Sequence, residues 1–159
     1  GKKGVYNQCV FKNKKLSKNL RNKKRTLKPK DRLFTYRKGS HYYNVRPSDV
    51  NRYLRKFGDF TTKNFRTWTA NIELINQLMK HPEIFTDISE TQKKRFVNEC
   101  IDKVAEKLHN TRAVCKSNYL DPRLVETASN DTKRLRPFQK CATKEDYTNE
   151  YIRFLKNAK

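Results

Sequence analysis

The chain has 159 residues, with 38 Lys and Arg against 16 Asp and Glu, a formal net charge of +22. Such an excess repels itself in a compact fold unless a polyanion is close, which points first to nucleic acid and second to an anionic membrane surface. No apolar run approaches the roughly 20 residues of a membrane span, and Gly1-Lys2-Lys3-Gly4 has no apolar signal core behind it. Without an initiator Met, the chain reads as cleaved or as a piece of something longer. Cys9, Cys100, Cys115 and Cys141 have no C-x-x-C spacing, and His41, His81 and His109 are scattered. A zinc site is therefore not expected, nor is any cofactor, and unpaired thiols suit an intracellular, reducing compartment.

Residues 1–30 hold twelve basic side chains and no acidic one. Val5, Tyr6, Cys9, Val10 and Phe11 are strand formers, so 4–12 reads as a strand, one arm of a hairpin remnant over 1–12. Residues 13–30 are too charged to pack deeply, and we expect a basic loop region over 13–45. It is either simply solvated or a surface that tracks phosphates. Pro47-Ser48-Asp49 opens a helix with Val50, Tyr53, Leu54 and Phe57 at helical spacing and Gly58 as its stop. Thr61-Thr62 opens a second, with Phe65, Trp68, Ile72, Ile75 and Leu78 on one side and Pro82 beyond its end. Ser89-Glu90-Thr91-Gln92 fits a capping box. The third helix it starts carries Phe96, Cys100, Ile101, Val104 and Leu108 at core spacing. Residues 109–118 are polar and read as loop or one short turn. A short helix is expected near 121–128, a connector with Pro137 over 129–142, and a last amphipathic helix from Asp146 to Lys156. The expected fold is mainly α with a small N-terminal β element, one domain with its helical core over 46–128.

Without a Gly-rich phosphate loop or a close carboxylate pair, the chain offers many cations and eight tyrosines. One chemistry uses only these parts: a tyrosine attacks a phosphodiester while Arg and Lys stabilise the charge of the transition state. Composition permits this chemistry without selecting it.

Three stretches narrow the choice. Val45-Arg46-Pro47-Ser48-Asp49-Val50-Asn51-Arg52-Tyr53-Leu54 leads into Phe60-Thr61-Thr62-Lys63-Asn64-Phe65-Arg66-Thr67-Trp68. Later comes Asn110-Thr111-Arg112-Ala113-Val114-Cys115-Lys116-Ser117-Asn118-Tyr119, continued by Leu120-Asp121-Pro122-Arg123. At the front stands Gly1-Lys2-Lys3-Gly4-Val5. In this order they resemble the type IB DNA topoisomerases: the S-x-D-V-N-x-Y-L helix before F-T-x-K-x-F-R-T-W, the N-Y-L-D-P-R segment, and the G-K-x-x-V turn of the lysine hairpin. The resemblance covers roughly residues 1–128.

It implies the catalytic fold shared by topoisomerases and tyrosine recombinases, gripping duplex DNA, with roles as follows. Tyr119 is the nucleophile. A protonated phenol attacks poorly, and nearby cations favour and orient a phenolate. The product is a 3′-phosphotyrosyl link that keeps the phosphodiester energy, so rejoining and relaxation of supercoils need no ATP. Arg66 holds two oxygens of the scissile phosphate with its fork. Lys63, three residues earlier on the same helical face, contacts phosphate or assists proton transfer. Lys2 protonates the leaving 5′-oxygen, with Lys3 as substitute if the register slips. Asn110 donates to a nonbridging oxygen, with His109 as alternative. Lys3, Thr67, Arg112 and Lys116 are further DNA contacts.

A second arginine of the family, N-terminal to the lysine hairpin, has no counterpart in this chain. Three alternatives therefore stand beside the enzyme: a catalytically incomplete DNA-binding fragment partnered by a missing N-terminal part, a tyrosine recombinase, and a basic membrane-surface protein. Lys63 and the F-R-T-W segment weigh against the recombinase. The lack of a helix with one large apolar and one basic face weighs against the membrane.

Overall fold

The computed structural model describes residues 8, 10 and 12–157. Most of the strand expected over 4–12, and both Lys2 and Lys3, lie outside these residues. Internal packing divides the chain into two units, 1–62 and 63–159.

In the first unit, the basic run is not a loop. Helix α1 spans Lys14–Arg25, and a hairpin of β1 (Thr35–Lys38) and β2 (His41–Asn44) follows. Lys, Leu and Arg are good helix formers. The Asn13 side chain caps α1 by accepting from the Leu16 amide at 2.9 Å, and Lys23, Lys24 and Arg25 complement the dipole in its last turn. The strands pair antiparallel from Thr35↔Asn44 to Lys38↔His41 across Gly39-Ser40, where Gly39 takes the positive φ (61°) that tight hairpin turns require. Helix α2, Pro47–Leu54, runs into a 3-10 turn at Arg55–Phe57 and stops at Gly58 (φ 142°), as the sequence predicts. Asn51 of α2 accepts from both the amide (3.0 Å) and the hydroxyl (3.2 Å) of Thr62, the first residue of the next helix. No described residue of this unit is buried.

The second unit holds the core. Helix α3 (Thr62–Leu78) buries Ala70, Asn71, Leu74, Ile75 and Leu78 along one stripe. Helix α4 (Glu90–Lys107) buries Val97, Cys100, Ile101 and Val104. The capping box forms as expected: the Gln92 amide donates to Ser89 Oγ (3.3 Å) and the Ser89 amide to Gln92 Oε1 (3.0 Å). Residues 109–118 hold a helix rather than a loop, α5 at Arg112–Asn118, capped by Thr111. It has one buried side chain, Cys115, and so shows no stripe. Helix α6 spans Pro122–Asn130 and α7 spans Lys144–Asn157. The expected connector between them is a 3-10 helix over Thr132–Lys140 that buries Thr132, Leu135 and Phe138. Burial at every third residue matches its three residues per turn. Phe154 of α7 meets Phe138 with ring centroids 6.3 Å apart, and Tyr151 meets Trp68 of α3 at 5.1 Å. The described chain is mainly helical, with one small sheet. No described helix is long and apolar enough to cross a membrane.

Candidate active site

Three helix ends of the second unit converge. The first turns of α3 present Lys63 and Arg66, both exposed. The Arg66 Nη2 donates to the Leu108 carbonyl, which closes α4. That terminus is a Schellman motif: the His109 amide donates to the Glu106 carbonyl and the Asn110 amide to the Ala105 carbonyl, each at 2.9 Å, while His109 takes φ 53°. The chain reversal leaves His109 exposed and half-buries Asn110. Asn110 then donates its side-chain amide to the same Leu108 carbonyl at 3.0 Å. A carbonyl oxygen has two lone pairs, and Arg66 and Asn110 converge on one such oxygen.

Tyr119 follows from α5. Its amide donates to the Cys115 carbonyl at 3.0 Å, and the neighbouring Leu120 is buried in the core. The ring is half-buried, with the Arg66 guanidinium carbon 4.9 Å from its centroid, within cation–π range. Burial pushes the Cys115 thiol up, against the pull of Arg66, and a neutral thiol there is structural rather than nucleophilic.

Sequence reasoning missed Asn71. It is 1 % exposed in the core of α3 and fully engaged. Its Nδ2 donates to the carbonyls of Thr67 (2.8 Å) and Tyr119 (3.0 Å), and its Oδ1 accepts from the Asp121 amide (2.8 Å). One side chain thus grips the backbone on both sides of Leu120. The available signal was a lone Asn on a stripe otherwise made of Ala70, Leu74, Ile75 and Leu78. A polar residue there must find partners or cost stability.

Asp121 supports the same segment from the other side. Its carboxylate caps α6, accepting from the Arg123 amide (2.9 Å), and pairs with the Arg123 guanidinium (2.8 Å). Burial raises its carboxyl, but the Arg123 bonds outweigh this and the net shift is downward. Glu73, on α3, behaves alike. Burial raises it, and Lys107 at 2.7 Å together with Gln77 brings it below its usual range. Glu73–Lys107 ties α3 to the last turn of α4, close to Leu108.

Of the residues nominated from sequence, Arg66, Asn110 and Tyr119 are brought together. Lys63 stands one turn before Arg66, and Lys116 lies exposed in the last turn of α5. Thr67 is half-buried and lends its carbonyl to Asn71. Arg112 forms a fork with Asp102, its Nε at 2.6 Å and its Nη2 on the second oxygen, so its guanidinium already has a carboxylate. His109 is turned outward by its left-handed backbone.

The sequence matches the family model of the eukaryotic DNA topoisomerase I catalytic core over residues 1–146. No curated protein matches the chain.

Proposed function

Because the chain belongs to the eukaryotic DNA topoisomerase I catalytic-core family, whose members are DNA-binding isomerases, we propose that it works by the type IB route, with Tyr119 as nucleophile. The phenolic oxygen attacks the scissile phosphorus, a Tyr–O–P bond forms, and the bond from phosphorus to the 5′-oxygen breaks. The phenolic proton passes to solvent water, and the 5′-oxygen takes one from Lys2. The strand rotates about its uncut partner, and the reverse attack reseals it without ATP, because the phosphotyrosyl link retains the bond energy.

The observation that carries this reading is the cation on the ring: Arg66 lies 4.9 Å from the Tyr119 centroid and shares an acceptor with Asn110. A guanidinium has five N–H donors, so holding Leu108 uses only part of the fork. A phosphate oxygen is a stronger, charged acceptor than a carbonyl. Arg66 and Asn110 are therefore suited to transfer from Leu108 to the nonbridging oxygens, while Lys63 adds charge at the edge. Lys3 and Lys116 add phosphate contacts that hold the duplex without reading its sequence. Arg112 is better regarded as the strut that fixes α5 to α4 through Asp102.

The test uses a nicked duplex that traps the cleaved end, run on a denaturing gel beside Tyr119→Phe. A shifted band from the wild type alone is expected. Equal bands from both would remove Tyr119 from the role. A band from neither, with salt-dependent duplex binding intact, would leave the DNA-binding reading in its place.

A further inference from the structure

The first unit contains a concavity of about 610 Å³ that the reaction at Tyr119 does not use. It is lined by Tyr36, Tyr42 and Tyr43 of the hairpin together with Arg32, Arg46 and Arg52. Its size falls within the roughly 300–1,000 Å³ of small-ligand sites. Tyr36 and Tyr43 are direct cross-strand partners, with rings stacked at 5.7 Å and 24°. All three tyrosines are exposed, Tyr42 by 69 %. The Lys23 ammonium of α1 sits 5.7 Å from the centroid of the Tyr42 ring. The one carboxylate on the lining, Asp49, pairs with Arg52 at 2.6 Å and accepts from the Arg46 amide at 2.9 Å. With three arginines and one aspartate, the lining remains positive.

We propose that this concavity binds an unpaired nucleotide of single-stranded DNA, with its base stacked on the tyrosines and its phosphate held by Arg32 and Arg46. Three features select this occupant. Exposed aromatic faces beside cations are the parts with which proteins hold single strands, because every base has a π-face. An apolar protein partner would have to bury the arginines unpaired, at high cost. An intact duplex hides its base faces inside the stack and would present only phosphates, for which the tyrosines would serve no purpose. The inference is independent of the chemistry at Tyr119.

The experiment compares binding, by fluorescence anisotropy at one fixed salt concentration, of a thymidine oligomer of about eight nucleotides, an abasic oligomer with the same phosphates, and a duplex. The thymidine oligomer is expected to bind roughly 10-fold or more tighter than the abasic one, the scale of a base stacking on an aromatic ring. The double variant Tyr42→Leu/Tyr43→Leu should bring that ratio close to one and leave duplex binding unchanged. Tyr42→Phe/Tyr43→Phe should preserve the ratio, since stacking needs the ring and not the hydroxyl. Tyr119→Phe should not move it either. Equal binding of thymidine and abasic oligomers by the wild type would overturn the proposal, as would a ratio that survives in the leucine variant.

Discussion

Replacing Asn71 by alanine removes three hydrogen bonds at a site that is 1 % exposed. The Thr67 carbonyl keeps its helical partner, so two groups lose theirs: the Tyr119 carbonyl and the Asp121 amide. A buried polar group left unsatisfied costs about 1–3 kcal/mol. The pair together should destabilise the second unit by about 2–6 kcal/mol, less if water enters the vacated space. For a chain of this length that corresponds to a fall in Tm on the order of 10 °C. Hydrogen exchange localises the effect, because the Asp121 amide should exchange much faster in Asn71→Ala than in the wild type. Asn71→Asp keeps an acceptor for that amide but loses both donations, so it should restore protection at Asp121 without restoring the grip on Tyr119. If Tyr119 is the nucleophile, loosening its backbone should slow covalent attachment by about 10- to 100-fold at saturating DNA, because displacement of a reacting group by about 1 Å can cost 10² in rate. An Asn71→Ala protein with unchanged Tm and an equally protected Asp121 amide would refute the account of the clamp.

Arg66→Ala should lower covalent attachment by about 10²–10³-fold. Its Tm should fall only slightly, because Asn110 still donates to Leu108. Single-turnover attachment beside a thermal melt separates the two, and unchanged attachment would exclude Arg66 from the chemistry. Asp121 and Glu73 both have carboxyls lowered by folding. Between their folded values and the ordinary carboxylate range of about 4, the unfolded chain binds more protons. The stability they contribute is therefore complete above that range and lost as the pH falls through the folded values. Denaturant midpoints from neutral to acid pH should show this loss, and Asp121→Asn or Glu73→Gln should flatten it; an unaltered slope in both variants would count against these pairs. His109→Gly removes the cost of a side chain at φ 53°, about 1–2 kcal/mol, against a loss of about 0.4–1 kcal/mol from a freer unfolded chain. A small rise in Tm with unchanged attachment is expected, whereas loss of attachment would favour His109 over Asn110.

Helices α2, α3 and α4 were legible because each announces itself twice, by a cap and by an apolar stripe. Pro47 with Asp49, Thr62, and Ser89 with Gln92 mark the starts, and the stripes set the lengths. Helix α1 lacked the second signal, since it buries nothing, and charge alone does not distinguish a helix from a loop. Helix α5 has only Cys115 inside, too little to give a period. The 3-10 segment carries its signal at a spacing of three, which matches neither the α-helical nor the alternating strand period. The site divides along the same line. Arg66, Asn110 and Tyr119 were reached through resemblance, not through composition. Their meeting depends on a left-handed residue at 109 and a shared carbonyl at 108, and neither is encoded in a local pattern. The pairing of Arg112 with Asp102 was equally hidden, because the two lie on different helices.

The first unit has no buried residue among those described, although it contains a helix, a hairpin and a second helix. Such a unit draws little of its stability from its own interior, and its hydrogen bonds sit at the low end of the local-opening scale. A polyanion that lies across it consequently acts as a folding partner as well as a ligand, since anything that binds only the ordered form stabilises that form by mass action. Part of the Coulombic attraction to such a polyanion is then consumed in ordering the surface that receives it. The measured affinity understates the contact energy by that amount, and each phosphate contact removed by added salt loosens the protein as well as the complex.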